Sequence, residues 1–337
     1  MGLGSFTMSG TTMKNLDCDQ FPGISLKQND KTAAYHVPVL GRQVMAFLRP
    51  GPDGMFLDGT AGGGGHARMM LEAGAEVMAL DQDPEALAEC RQRLADFENR
   101  VRLVETNFRD INEALEEIGE TRLFNGALLD LGVSSRHLDS AERGFSFQQD
   151  GPLDMRMGPG ASQTASDVVN TLDTQGLMEI FRNYGEEPAA RRIATHLVQA
   201  RQLRPFQTTL QLADAICKVV PRHGPRHPAT RVFQALRMHV NEELGALRRA
   251  LQAVPGHLAP GARFAVITFH SLEDRIVKVF FREHSREWID RPEWPAPRRN
   301  PERQFQLLTP HPITASAEEI QENPRARSAK LRVVEKL

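Results

Sequence analysis

The order of apolar runs predicts an α/β fold: a parallel sheet of βαβ units with a helical region inserted before its fifth strand. Three observations carry this. Short apolar runs at Met55–Leu57, Glu76–Leu80, Val101–Val104 and Gly126–Leu131 recur at regular intervals, separated by helical stretches. Strand and helix alternating in this way imply parallel pairing. A fifth buried run, Arg263–Thr268, comes more than 130 residues after the fourth, and the interval reads as loops followed by helices.

The elements follow in chain order. Residues 1–34 are polar and aperiodic, and read as a mobile extension. Val39–Leu48 places Val39, Leu40, Val44, Phe47 and Leu48 at helical spacing, and Pro50 to Gly54 stops it. Pro84 suits the first position of a helix that continues through Leu87 and Leu94. Beyond His137, helices are expected at Leu177–Tyr184, Pro188–Arg201, Thr209–Val220 and Ala229–Val254, then at Leu272–Glu283. Residues 286–330 are rich in Pro and Arg and read mostly as loop, with Leu331–Glu335 as a closing edge strand. The expected organisation is an extension over 1–34, a core over 35–136 and 261–337, and an inserted helical domain over 137–260.

Composition narrows the function classes. Three cysteines, Cys18, Cys90 and Cys217, lie far apart with no metal spacing, which speaks against a disulfide framework or a zinc ribbon. A reducing, cytoplasmic setting is the expectation, with no apolar run near the ~18 residues of a membrane span. The net charge is −2, yet Arg182 to Arg249 holds 12 basic and 5 acidic residues. That asymmetry suggests a polyanion docking on the insertion, though solvated helix faces read equally well.

The strongest local signal runs from Phe56 to Ala67, where a strand ends in Asp58, five glycines fall within residues 59–65, and a helix opens. Glycines there permit positive φ and close approach of a ligand. The spacing fits a dinucleotide GxGxxG only loosely. Asp58 would repel a pyrophosphate but suits the ammonium of an amino-acid moiety, which favours S-adenosylmethionine over NAD. Asp81 closes the second run 23 residues after Asp58, where a carboxylate takes ribose hydroxyls. Asp83 is expected to cap the helix at Pro84 instead. Phe108 follows the third run and is either an adenine wall or core. Asp130 leaves the fourth run inside apolar sequence, where a carboxylate needs a partner.

Together these segments resemble the bacterial small-subunit ribosomal RNA methyltransferase H family, also called MraW. The resemblance rests on His36-Val37-Pro38-Val39-Leu40, Asp58-Gly59-Thr60 through Gly64-Gly65-His66, and Asp81-Gln82-Asp83-Pro84. It continues through Leu128 to Ser135, Glu142 to Phe147, Asp150 to Met157, and Tyr184-Gly185-Glu186-Glu187. His227 to Arg231, Phe269 to Arg275 and Asn323 to Ser328 complete it, in order from about residue 35 to the C-terminus.

The resemblance implies a Rossmann-like class I S-adenosylmethionine-dependent methyltransferase with an inserted helical domain, acting on N4 of a decoding-region cytidine in 16S rRNA. It implies cofactor contacts at Gly64, Gly65, His66, Asp81, Phe108 and Asp130. A further contact, a Gln in many members, falls on His137 within Ser134-Ser135-Arg136-His137-Leu138. Asp130 and His270 are the candidate catalytic proton acceptors. For His270 the alternative is a helix-entry hydrogen bond, beside a Ser271/Asp274 capping box. Arg191, Arg192, Arg201, Arg204, Arg226 and Arg231 are expected to hold RNA phosphate, with Arg325, Arg327 and Lys330 assisting. The implied partner is 16S rRNA in the small ribosomal subunit; the transfer chemistry requires no metal, and no membrane partner is expected. The oligomeric state stays open, a homodimer included. Two other readings stand beside this one: a non-catalytic RNA-binding or assembly factor with a vestigial pocket, and an NAD-dependent oxidoreductase.

Overall fold

The computed structural model describes residues 38–132, 140–222, 224 and 227–337. The sheet starts from β1 (Met55–Asp58), β2 (Glu76–Asp81), β3 (Val101–Glu105), β4 (Phe124–Asp130) and β5 (Leu258–Thr268), all mutually parallel where paired. Their spatial order is β3-β2-β1-β4-β5. The chain therefore reverses its direction of travel between β1 and β4, and the crevice at such a switch point is where α/β sheets bind ligands. Asp58 and Asp130, the last residues of β1 and β4, lie at that edge.

Alternation along the buried strands sorts side chains to two faces. Leu57, Leu129 and Val266 join one apolar cluster, and Phe56, Leu128 and Ile267 join the other. The first face is covered by α4 (Ile111–Glu117), α10 (Glu243–Ala253) and α11 (Ser271–Glu283) through Leu115, Leu247, Leu251, Val277 and Phe281. The second is covered by α1 (Gly41–Leu48), α2 (Gly65–Glu72) and α3 (Pro84–Arg93) through Val44, Met70 and Cys90.

Between β4 and α10 stand α5 (Ala165–Thr171), α6 (Thr174–Asn183), α7 (Ala190–Arg201), α8 (Thr209–Val219) and α9 (Thr230–Val240). They share a separate apolar cluster running from Phe145 to Val240, with Phe181, Leu197, Ile216 and Leu236 buried in it. Helix α10 lies within the stretch read as an insertion but packs on the sheet.

The structure moves several boundaries. Helix α1 starts at Gly41, because Leu40 adopts a left-handed φ of 53°. The stretch read as one helix over 229–254 divides into α9 and α10, since Glu242 has φ 48°. Helix α5 falls where loop is expected; a reciprocal Thr164/Asp167 capping box starts it. After β6 (Trp288–Ile289), β7 (Arg298–Arg299), β8 (Phe305–Leu307) and β9 (Ile313–Thr314) comes a short helix, α12 (Ala317–Glu322), also read as loop. The final strand, β10 (Lys330–Lys336), is not at an edge: it pairs antiparallel with β5 on one side and with β8 and β9 on the other. Residues 1–34 lie outside the described residues.

Candidate active site

The β1–α2 loop is tied down on every side. Gly59 N–H donates to Leu128 O, Ala61 N–H to Leu80 O, and Gly62 N–H to Asp81 Oδ2 at 2.8 Å. Thr60 Oγ1 accepts from Asp130 N–H at 2.7 Å, locking the loop to the tip of β4. The glycines are demanded at two positions. A Cβ on Gly59 would lie 2.5 Å from Leu129 Cδ2, and Gly64 has φ +75° with Cys90 Sγ 2.9 Å from where its Cβ would stand.

Within this frame sit three ionisable groups. Asp58 is 1% exposed. Its Oδ1 accepts from Thr60 N–H, while its Oδ2 is buried with no hydrogen-bond partner. Burial, against the opposing effects of His66 and the Thr60 N–H, pushes its pKa up to about 6. His66 lies in the first turn of α2, 6% exposed, with Nε2 3.5 Å from Asp130 Oδ2. Burial opposes its charge, but Asp130 first, then Asp58 and Glu319, outweigh that, and its pKa is raised. Neither ring nitrogen is in hydrogen-bond geometry, and Asp130 Oδ1 is likewise buried without a partner. Buried polar atoms left unpaired are costly and mark places where a ligand completes the set.

Asp81 and Asp83 divide their work as their positions suggest. Asp83 Oδ1 accepts from Glu85 N–H and caps α3. Asp81 receives the Gly62 and Asp83 N–H groups at the tip of β2. Phe108 is half-buried beside Gly59, in a turn that Asn107 caps through Arg109 N–H. Asn107 Nδ2 also donates to Gln82 Oε1 at 2.7 Å, joining the tips of β2 and β3. Asp81 and Asp130 end β2 and β4, Phe108 follows β3, and Gly64, Gly65 and His66 stand between β1 and the first turn of α2, all at the C-terminal end of the parallel strands. His137 falls outside the described residues.

His270 ends the β5–α11 turn at the same edge of the sheet. Its Nδ1 accepts from Glu273 N–H at 3.4 Å, and Glu273 Oε2 accepts from the Phe269 and His270 N–H groups. The capping box therefore uses His270 and Glu273, one residue earlier than the expected Ser271/Asp274 pair. Ser271 Oγ instead donates to Glu186 Oε2, and Asp274 pairs with Arg332 at 2.7 Å and Lys330 at 3.3 Å. Glu243, His270 and Glu273 converge within 4.8 Å. Arg237 grips Glu243 with two bonds of 2.7 and 2.8 Å and supplies the balancing positive charge.

Several positioning contacts are not assigned from the sequence. Asn241 is 8% exposed. Its side chain accepts from Met157 N–H and donates to Met155 O, both at 2.8 Å. Arg143 donates to Asp83 Oδ2 and to the carbonyls of Arg156 and Met157. Together they hold residues 155–158 as a strap against Gln82, so close that a Cβ on Gly158 would lie 2.3 Å from Gln82 O. Glu319 accepts from Leu40 N–H and Gln43 Nε2, closing the far side of the loop near His66. The Asn241 contacts, the Arg143–Asp83 contact and the Glu319 contacts span 60 to 279 residues, so no local pattern encodes them.

The expected phosphate-binding arginines differ in availability. Arg191, Arg192 and Arg204 are exposed and Arg231 is half-buried. Arg201 Nη1 is committed to Val169 O and Leu172 O at the end of α5. Arg226 lies outside the described residues. No described helix is long and apolar enough to cross a membrane.

Two comparisons follow from the sequence. The MraW methylase family profile matches residues 33–337. Ribosomal RNA small subunit methyltransferase H from Heliobacterium modesticaldum is 48% identical over 309 residues, covering 90% of this chain and 99% of its own. The protein of the same name from Syntrophotalea carbinolica is 51% identical over 308 residues, covering 90% and 98%.

Proposed function

The chain belongs to the MraW methylase family, and on that premise we propose that it methylates the exocyclic N4 amine of a decoding-centre cytidine in small-subunit ribosomal RNA. It is a methyltransferase whose cofactor is S-adenosylmethionine. The observation that carries this proposal is the pair of carboxylates Asp58 and Asp130, each with one buried unpartnered oxygen, flanking buried His66 at the switch-point edge.

The residues fit the cofactor. Asp58 Oδ2 suits an ammonium, Asp81 suits ribose hydroxyls, and Phe108 offers an aromatic wall beside the loop. When bound, the cofactor supplies an electrophilic methyl group. Cytidine N4 is a weak nucleophile because its lone pair is delocalised into the ring, and it must lose a proton as it gains the methyl. Asp130 Oδ1 is a buried acceptor at the strand tip for that proton, with Oδ2 steadied by His66. His270 stands at the same edge with Nδ1 occupied by its helix cap and Nε2 3.0 Å from Glu273 Oε1, so we assign it to positioning the β5–α11 turn.

The reading of the inserted region as an RNA-recognition unit rests on its own apolar cluster and its basic excess. An open groove of about 520 Å³ between α7 and α8 is lined by His196, Arg204 and Lys218 among others. A target base must leave its stack to reach a buried methyl donor, so the site takes a flipped or splayed nucleotide. A substrate of assembled small subunits and a cytoplasmic setting belong to the same proposal.

Mass spectrometry of nucleosides from small subunits lacking the mark, incubated with the protein and cofactor, tests it. N4-methylcytidine at one decoding-region position is the expected product. A methyl group on C5, on a ribose hydroxyl, or nowhere would overturn the N4 assignment.

A further inference from the structure

The C-terminal part of the chain carries a small two-stranded sheet apart from the main one. Strand β6 pairs antiparallel with β7, with Trp288 opposite Arg299 and Ile289 opposite Arg298. Both tryptophans of the 337-residue chain, Trp288 and Trp294, belong to this hairpin. Trp288 is 51% exposed, unusual for so large an apolar side chain. The Arg299 guanidinium lies 5.7 Å from its ring centre. Trp294 is approached by Arg291 at 5.0 Å and by Arg298 at 4.8 Å.

The hairpin is anchored. Asn300, 8% exposed, donates through Nδ2 to Glu283 O and Arg286 O at the end of α11. Its own N–H donates to Glu287 O, and its Oδ1 accepts from Glu302 N–H. The Trp and Arg side chains thus project from a fixed base. Arg303 approaches Glu287 at 3.9 Å. Among the described residues, no carboxylate pairs with Arg291, Arg298 or Arg299.

We propose that this hairpin is a second RNA-contact surface, taking phosphates on Arg291, Arg298 and Arg299 and one unpaired base against Trp288. A guanidinium stacked on a ring keeps its N–H donors in its own plane, where they suit phosphate oxygens. A half-exposed indole offers a face on which any unpaired base can stack. An apolar protein partner would have to bury the guanidinium groups that flank the tryptophans. RNA finds the combination of aromatic face and cation by which single strands are bound.

The location fits a large RNA. Helix α11 has 13 residues and so is about 20 Å long. It runs from His270 at the crevice edge to Glu283 at the base of the hairpin, so the two contacts engage different parts of one extended substrate. The hairpin holds five arginines against four acids between residues 286 and 303. Its contribution is therefore chiefly stacking, with a shallower salt dependence than that of the insertion.

This proposal rests on the RNA-methylation reading above, and the test keeps the two apart. Indole emission of the full chain reports on this hairpin alone. Titration with a fluorophore-free single-stranded decoding-region RNA is expected to quench it saturably. A Trp288→Ala/Arg299→Ala variant is expected to bind the same RNA about tenfold more weakly. On unmethylated small subunits it is expected to raise KM with kcat retained. RNA binding that leaves the emission and the variant's affinity unchanged would overturn the hairpin proposal, even where methylation proceeds. A raised KM on subunits with no effect on isolated RNA would assign the hairpin to a ribosomal protein and overturn it too. Quenching without any methylation would uphold the hairpin and overturn the function. Absence of both RNA binding and methylation would overturn both.

Discussion

His66 Nε2 stands 3.5 Å from Asp130 Oδ2, inside a glycine loop whose other carboxylate, Asp58, is 1% exposed. A buried and a half-buried carboxylate flank one buried imidazole, and two carboxylate oxygens, Asp58 Oδ2 and Asp130 Oδ1, are buried without partners. Burying such a set costs stability unless a ligand completes it.

The pH dependence of cofactor binding follows from Asp58. Its pKa of about 6 exceeds the ordinary 3.8, so the folded free protein holds this proton more tightly than the unfolded chain. Asp58 alone therefore makes the free protein less stable as pH rises from about 4 to 6. An ammonium partner needs the ionised form. Affinity for S-adenosylhomocysteine is expected to fall as pH drops below 6, approaching tenfold per unit. His66, raised above its ordinary value, stays protonated throughout that window. Methylthioadenosine, lacking the amino-acid end, is expected to show no such slope. Equal slopes for both ligands in calorimetric titrations would contradict this.

Gly64→Ala tests the loop. The φ of +75° and the 2.9 Å approach to Cys90 Sγ both oppose a side chain. A loss of about 1–3 kcal/mol in urea unfolding is expected. Adding Cys90→Ala removes the contact but not the dihedral, so only part of the loss should return. Full recovery would show that the backbone conformation carries no strain.

Asn241→Ala tests the strap. Removing its paired amide leaves Met157 N–H and Met155 O unsatisfied, at about 1–3 kcal/mol. Hydrogen exchange at the Met157 amide is expected to quicken more than that of β4. An unchanged Met157 rate would remove Asn241 as its anchor.

For His270→Ala, the cap geometry predicts a lowered Tm and less than a tenfold loss of single-turnover rate. A loss beyond a hundredfold with the fold intact would move His270 into the chemistry.

Much of this was legible in the sequence because it is local. The period of apolar runs gave the five parallel strands, and Asp83 announced its own cap through Pro84. The glycine run beside Asp58 marked the end of β1 at the switch-point edge. What escaped was non-local or locally ambiguous. The Asn241 contact spans 84 residues to Met157, and Glu319 reaches Leu40 across 279. The 229–254 stretch keeps helical periodicity through its break, because Glu242 turns left-handed without a glycine. At α11 two overlapping box spacings compete, and the imidazole acts as the cap where a hydroxyl is the usual choice.

In the proposed reaction Asp58 Oδ2 is the site of the cofactor's ammonium, and Asp130 Oδ1 takes the N4 proton. The decisive experiment is isothermal titration of S-adenosylhomocysteine into the wild type and Asp58→Asn at pH 7.5, with folding checked by circular dichroism. The folded variant is expected to bind at least about tenfold more weakly. Wild-type affinity in folded Asp58→Asn would remove Asp58 as the ammonium's partner.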